Sequence, residues 1–97
     1  MTKESIISVI KENENEIKDL GIKRLALFGS YSRNDESINS DIDLIWDLVR
    51  PRTLNSMAKA QAYLNSLFPN SKVDTVFEGA IHKYIKESIA GDIIEII

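Results

Sequence analysis

Residues 25–48 read LALFGSYSRNDESINSDIDLIWDL. The pattern predicts a hydrophobic strand that runs into a turn at Gly29-Ser30, a short helix, a polar loop, and a second strand that opens with Asp41 and Asp43. Side chains two positions apart on a strand point to the same face, so the two carboxylates should lie side by side. Hard cations such as Mg²⁺ prefer carboxylate oxygens and fill their other positions with water and phosphate oxygens. The stretch therefore predicts a metal site at the start of the second strand.

Gly29 and Ser30 are the predicted phosphate-binding residues. A helix that begins directly after a strand leaves its first N–H groups free to bind an anion. Gly29 lacks a Cβ, which lets the backbone approach a phosphate closely, and the Ser30 hydroxyl can donate to a phosphate oxygen. Together with the two carboxylates, this pair outlines a site for a metal–triphosphate complex.

The spacing of these residues resembles a known signature. Gly29-Ser30, ten intervening residues and Asp41-x-Asp43 match the motif of the nucleotidyltransferase superfamily that includes DNA polymerase beta and kanamycin nucleotidyltransferase. The longer run GSYSRND…SDIDL is most similar to the minimal, single-domain MNT branch of that superfamily. The resemblance implies an α/β (α+β) nucleotidyltransferase fold, with a small mixed sheet of about four strands flanked by helices. It also implies a single domain over residues 1–97.

Two further site residues follow from the resemblance. In the superfamily a strand beside the Asp-x-Asp strand carries a third carboxylate, and Asp74 in the strand-like run KVDTVF matches it; the alternative is a solvated edge residue. Arg33 matches a basic position frequent in the branch, where it either contacts phosphate or forms an ion pair with Asp35 or Glu36. Ser32 departs from the Ala common in the branch, which affects the loop and leaves the predicted ligands unchanged.

The resemblance also implies the chemistry. Asp41, Asp43 and Asp74 would hold two Mg²⁺ ions against ATP, and Asp74 would accept or orient the proton of an acceptor hydroxyl that attacks the α-phosphorus. The MNT branch pairs with HEPN-type toxins and neutralises them by transferring AMP to a tyrosine. The prediction is therefore an enzyme, a protein adenylyltransferase antitoxin. Two alternatives are an antitoxin that acts by binding alone and a small-molecule nucleotidyltransferase of the antibiotic-modifying kind.

Composition limits the other possibilities. The chain has 97 residues, 43% of them hydrophobic, and no cysteine, which is compatible with one modest core in a reducing compartment. No apolar run approaches the roughly 20 residues of a membrane span, so a cytoplasmic protein is expected. The net charge is −3 without a basic stripe, which argues against nucleic acid as a direct partner.

The remaining pattern predicts the rest of the architecture. The predicted elements are a helix over about Thr2 to Leu20, strands over Ile22 to Phe28 and Asp41 to Leu48, a helix capped by Thr53, a strand over Lys72 to Phe77, a helix over Ala80 to Ala90, and a closing strand over Ile93 to Ile97. The core stripe predicted for the Thr53 helix comprises Leu54, Met57, Ala58, Gln61, Leu64, Leu67 and Phe68. His82, on the helix before the closing strand, is interpreted as a surface residue rather than a general base.

Overall fold

A computed structural model describes residues 2–33, 41–49, 52–77 and 93–97, and four strands and four helices lie within these ranges. In chain order the elements are α1 (Lys3–Glu12), α2 (Glu14–Asp19), β1 (Ile22–Phe28), α3 (Ser30–Arg33), β2 (Ile42–Leu48), α4 (Leu54–Ser66), β3 (Val73–Phe77) and β4 (Ile94–Glu95). The predicted strands are confirmed to within a residue or two at their ends.

The four strands form one mixed sheet in the order β3-β2-β1-β4. β1 pairs antiparallel with both β2 and β4, whereas β2 and β3 run parallel. This arrangement confirms the predicted small mixed sheet. Buried residues occupy consecutive positions in β1 and β2, which is typical of central strands covered on both faces.

One face of β2 belongs to the hydrophobic core, as alternation predicts. Ile42 and Leu44 are fully buried there, so Asp43 between them points to the opposite face. Helices α1, α2 and α4 cover this core face. The side chains of the core are Ile6, Ile10, Ile17, Ile22, Leu25, Leu27, Tyr31, Ile42, Leu44, Trp46, Leu48, Ala60, Leu64, Phe68 and Ile96.

The N-terminal segment forms two helices where one was predicted. Asn13 separates them with backbone angles of φ −108° and ψ 15°, and its side-chain amide donates to the carbonyl of Val9 at 2.8 Å. Asparagine side chains compete with the backbone for hydrogen bonds, which makes such a break favourable. Ile10 and Ile17 are both buried, so the hydrophobic stripe continues across the break and did not reveal it.

The helix α4 begins as predicted but is rotated relative to the predicted stripe. Thr53 caps it by accepting a hydrogen bond from the N–H of Ser56 at 3.0 Å. Its buried positions are Ala60, Leu64 and, just beyond its end, Phe68. Three members of the predicted stripe are instead exposed: Leu54, Ala58 and Gln61. The helix therefore buries the row centred on Leu64. The prediction that Leu54, Ala58 and Gln61 belong to the core was wrong.

Some predictions fall outside the described residues. One is the helix over residues 80–90, which includes His82. The other is the ion pair of Arg33, because its two candidate partners, Asp35 and Glu36, are not among the described residues. Within the described ranges, no helix is long and apolar enough to cross a membrane.

Candidate active site

Three neighbouring strands bring the predicted site residues to one end of the sheet, where β1 ends and where β2 and β3 begin. Phe28, at the end of β1, pairs with Asp43 at the start of β2, and Asp43 pairs in turn with Asp74 on β3. Residues that are in register on neighbouring strands point to the same face. Asp43 and Asp74 therefore share the face opposite the core, directly after the point where β1 runs into Gly29.

Gly29 lies in direct contact with Asp43. Its backbone has φ +78°, a conformation that residues with a Cβ rarely adopt. A Cβ at this position would overlap Asp43 Oδ2 and lie 3.1 Å from Asp43 Cγ. The glycine is therefore required twice, once for the turn and once for the space that the carboxylate occupies.

The electrostatics of Asp43 indicate a site built for positive charge. Burial raises the pKa of its carboxyl, and the nearby carboxylates of Asp74 and Asp41 raise that pKa further, while Arg33 lowers it. The carboxylates of Asp41 and Asp74 are thus each close enough to repel that of Asp43. A cation placed among them would remove this repulsion.

The carboxylate of Asp41 lies beside Lys72, a residue that the sequence motif does not include. The Nζ atom of Lys72 lies 3.7 Å from Asp41 Oδ2. The carbonyl of Lys72 accepts a hydrogen bond from the N–H of Ile42 at 2.9 Å, which continues the β2–β3 pairing by one step. Lys72 precedes Asp74 by two positions, so alternation places both on the same face. That spacing is the signal by which the sequence could have identified it.

The turn after β1 is closed by hydrogen bonds to a single carbonyl. The Gly29 oxygen accepts from the N–H of Ser32 at 3.1 Å, from the N–H of Arg33 at 3.3 Å, and from the Ser32 hydroxyl at 2.7 Å. Ser32, the departure from the Ala of the MNT branch, therefore adds a donor to this turn. α3 starts at Ser30, which is half-buried, and ends at Arg33, which is exposed.

The donor set suits a hard cation shared with a substrate. Across the described ranges, no three Asp, Glu, His or Cys side chains are gathered into a closed metal cluster. Mg²⁺ does not need such a cluster, because it is usually held by one or two carboxylates together with phosphate oxygens and water. Asp41 and Asp43, with mutually repelling charges beside a turn that lacks a Cβ, fit this open kind of site.

The chain is similar in sequence to known proteins. A family model described as nucleotidyltransferase domain matches residues 9–96. A protein of Methanocaldococcus jannaschii that carries the name protein adenylyltransferase is 35% identical over 97 residues, which cover 98% of this chain and 98% of that one.

Two solved structures have a similar fold. The first is a minimal nucleotidyltransferase, with a TM-score of 0.79 and 26% identity over 97% of this chain and 95% of the other. The second is a chain from a tri-AMPylated HEPN toxin of Shewanella oneidensis in complex with an MNT antitoxin. Its TM-score is 0.57 at 22% identity, covering 90% of this chain and 71% of that chain, and this likeness concerns the fold alone.

Proposed function

The chain belongs to the nucleotidyltransferase domain family and is an enzyme of that class, and on this premise we propose that it transfers AMP from ATP to a tyrosine hydroxyl of a HEPN-type toxin and so acts as its antitoxin. The relative that matches almost the whole chain is named a protein adenylyltransferase. The neighbour of similar fold comes from a complex of an AMPylated HEPN toxin with its MNT antitoxin. The observation that carries the proposal is the row formed by Gly29, Asp43 and Asp74 at one end of the sheet.

The chain's own residues would bind the nucleotide from two sides. Gly29 and Ser30 bind the triphosphate through the backbone and hydroxyl of the turn after β1. Arg33 contributes a positive charge close enough to lower the pKa of Asp43, and therefore close enough to interact with phosphate. The α-phosphate is thereby held beside the carboxylates.

Asp41, Asp43 and Asp74 would hold two magnesium ions. When bound, these ions neutralise the phosphate charge and stabilise the attacking and leaving oxygens. The tyrosine oxygen forms a bond with the α-phosphorus, the bond from that phosphorus to the oxygen of the β-phosphate breaks, and pyrophosphate leaves. Asp74 either accepts the proton of the hydroxyl or orients it towards solvent. Positioning and charge stabilisation supply most of the catalysis in such transfers, so a small domain suffices.

The experiment is intact-mass spectrometry of the protein encoded by the adjacent gene, which is the proposed toxin partner. The partner is incubated with this chain and Mg-ATP. We expect its mass to rise by one or more AMP groups, and a digest to place each group on a tyrosine. The variant Asp41→Asn/Asp43→Asn should give no increase, because it removes two ligand charges while preserving the shape of the side chains.

Asp19→Asn is the matched control, since Asp19 is an exposed carboxylate at the end of α2, before β1 begins. It should leave the mass increase unchanged. If the partner gains no AMP and yet forms a stable complex with the chain, an antitoxin that acts by binding would replace the proposal. An AMP group on a small molecule in place of the partner would favour the antibiotic-type activity.

A further inference from the structure

We propose that Lys72 is a second cation of the nucleotide site, which neutralises Asp41 in the free protein and moves to the phosphates when metal and nucleotide bind. The inference rests on the proposed function, because it concerns the same site. It adds a residue that neither the signature motif nor the comparisons assign.

The first step of the argument is position. The β2–β3 register pairs Asp43 with Asp74 and, one step earlier, Ile42 with Val73. The hydrogen bond from the N–H of Ile42 to the carbonyl of Lys72 extends this pairing by one further step. Asp41 and Lys72 therefore form the next pair on the same face as the two other carboxylates. The ammonium group therefore lies beside Asp41, at one end of the carboxylate row.

The second step is charge. Asp43 and Asp74 are in register on β2 and β3, so this face carries the neighbouring negative charges of Asp41, Asp43 and Asp74. Lys72 Nζ lies 3.7 Å from Asp41 Oδ2 and supplies a positive charge at one end of the row. A cation that binds Asp41 Oδ2 is repelled by this ammonium group, so Lys72 competes with metal for that oxygen.

The third step is mobility of the side chain. Lys72 is 73% exposed, and an ion pair as exposed as this one contributes little to stability. A lysine side chain carries its charge on a flexible four-carbon stem, so its head can move several ångströms without any change in the backbone. Once metal occupies Asp41, the nearest partners for the ammonium are the negatively charged phosphates that the metal carries into the site.

The two roles have effects of opposite sign, which makes them testable. Replacing Lys72 by Met keeps the aliphatic stem and removes the charge. Metal alone should then bind more tightly, because its competitor at Asp41 is gone. Metal together with nucleotide should bind more weakly, because a phosphate contact is lost. A lysine with a merely structural role would change both affinities in the same direction or leave both unchanged.

The experiment measures two dissociation constants for each variant. One is for Mn²⁺ alone, followed by electron paramagnetic resonance, and the other is for a non-hydrolysable ATP analogue at saturating Mg²⁺, followed by calorimetry. For Lys72→Met we expect Mn²⁺ to bind about two- to fivefold more tightly and the analogue about tenfold more weakly. Lys72→Arg should restore affinity for the analogue to near the wild-type value, since it restores the charge.

Lys59→Met is the matched control, because Lys59 is exposed on α4, which packs against the other face of the sheet. It should change neither constant. Unchanged constants in Lys72→Met, or two constants that shift in the same direction, would overturn the inference and leave the proposed function intact. If the wild-type chain binds neither Mn²⁺ nor the analogue, both the proposed function and this inference are wrong.

Discussion

The carboxylate of Asp43 packs against the Cα of Gly29, in space that any other residue at position 29 would fill with its Cβ. The two residues come from different strands, β1 and β2, which pair so that Phe28 lies opposite Asp43. The turn proposed to bind phosphate and the carboxylate proposed to bind metal are therefore one packed unit. A change in either residue should affect both functions.

Gly29→Ala tests this unit, and Gly21→Ala is the control because it introduces a Cβ at another position with a positive φ. Both glycines have positive φ, +78° and +90°, so both variants should lose about 1–2 kcal/mol of unfolding free energy. A Cβ on Gly21 would meet Val49 Cγ2 at an ordinary 3.4 Å, whereas on Gly29 it would displace Asp43. Only Gly29→Ala should also slow AMP transfer, by a factor on the order of 100. Denaturant titration and the transfer rate measure the two effects, and equal rates in the two variants would contradict the account.

Asp43→Asn should stabilise the metal-free protein. Burial and the two neighbouring carboxylates raise the pKa of Asp43 in the folded chain above the ordinary value of 3.8. Below that value the group is neutral in both states and costs nothing. As pH rises, the unfolded chain ionises first, so the folded state loses stability until the pH has passed the folded-state pKa. The variant should escape this loss and be more stable than the wild type near neutral pH.

The measurement is the unfolding free energy of both proteins from acidic to neutral pH without metal. The difference should grow with pH and then become constant. Adding Mg²⁺ should stabilise the wild type and have less effect on the variant, since it lacks a ligand charge. A variant that is less stable than the wild type at neutral pH would show that the charge of Asp43 is favourable in the free protein.

Ser32→Ala tests the turn separately from the ligands. Removing the hydroxyl that donates to the Gly29 carbonyl at 2.7 Å leaves two backbone donors on that oxygen. We expect nucleotide affinity to fall by a factor of about 2–10, in keeping with the loss of one neutral hydrogen bond. Ser32→Thr, which keeps the hydroxyl, should bind nucleotide as the wild type does. Calorimetry with the non-hydrolysable analogue decides, and a loss in the Thr variant equal to that in Ala would point to packing instead.

Tyr63 provides a test of the fold away from the site. Its hydroxyl donates to Glu16 Oε2 at 2.7 Å and so links α4 to α2. Burial and this hydrogen bond raise the pKa of Tyr63 from 10.0 to about 12. A raised tyrosine pKa contributes stability that is complete below pH 10 and is lost as pH rises through 12.

The difference in phenolate absorbance between the wild type and Tyr63→Phe isolates this group from the other tyrosines. We expect it to titrate near the raised pKa, and the variant to lose less than about 1 kcal/mol at neutral pH. A titration of Tyr63 at its ordinary pKa would mean that the two helices are not joined in this way.

The strands and the positions of the candidate site residues on them were predictable because each rests on a local signal. Hydrophobic alternation identified β2 and placed Asp41 and Asp43 together, and a glycine directly after β1 marked the turn. The partner of Asp43 on β3 was reached through the family resemblance, since no local pattern states which strands are neighbours. The structure supplied that neighbour relationship through the parallel register with Asp74.

The remaining features depended on tertiary context. The spacing of the apolar residues Ile10 and Ile17 fits one continuous helix as well as two helices. The hydrophobic pattern therefore did not predict the break at Asn13. The rotation of α4 is set by which row meets the sheet, and this packing leaves Leu54 86% exposed. Lys72 was missed for a different reason: its spacing from Asp74 was visible in the sequence, but its pairing with Asp41 depends on the β2–β3 register.

The most direct test is made on the variant Asp74→Asn, for which two quantities are measured. One is the rate of AMP transfer, followed as the intact mass of the partner over time. The other is the affinity of the variant for the Mg²⁺-bound analogue. Asp74 is proposed to help activate the acceptor hydroxyl, while Asp41 and Asp43 retain the nucleotide. We therefore predict transfer slower by a factor of about 100 or more, with analogue affinity within about tenfold of the wild type. Transfer at the wild-type rate would contradict the account and leave Asp74 as a solvated edge residue.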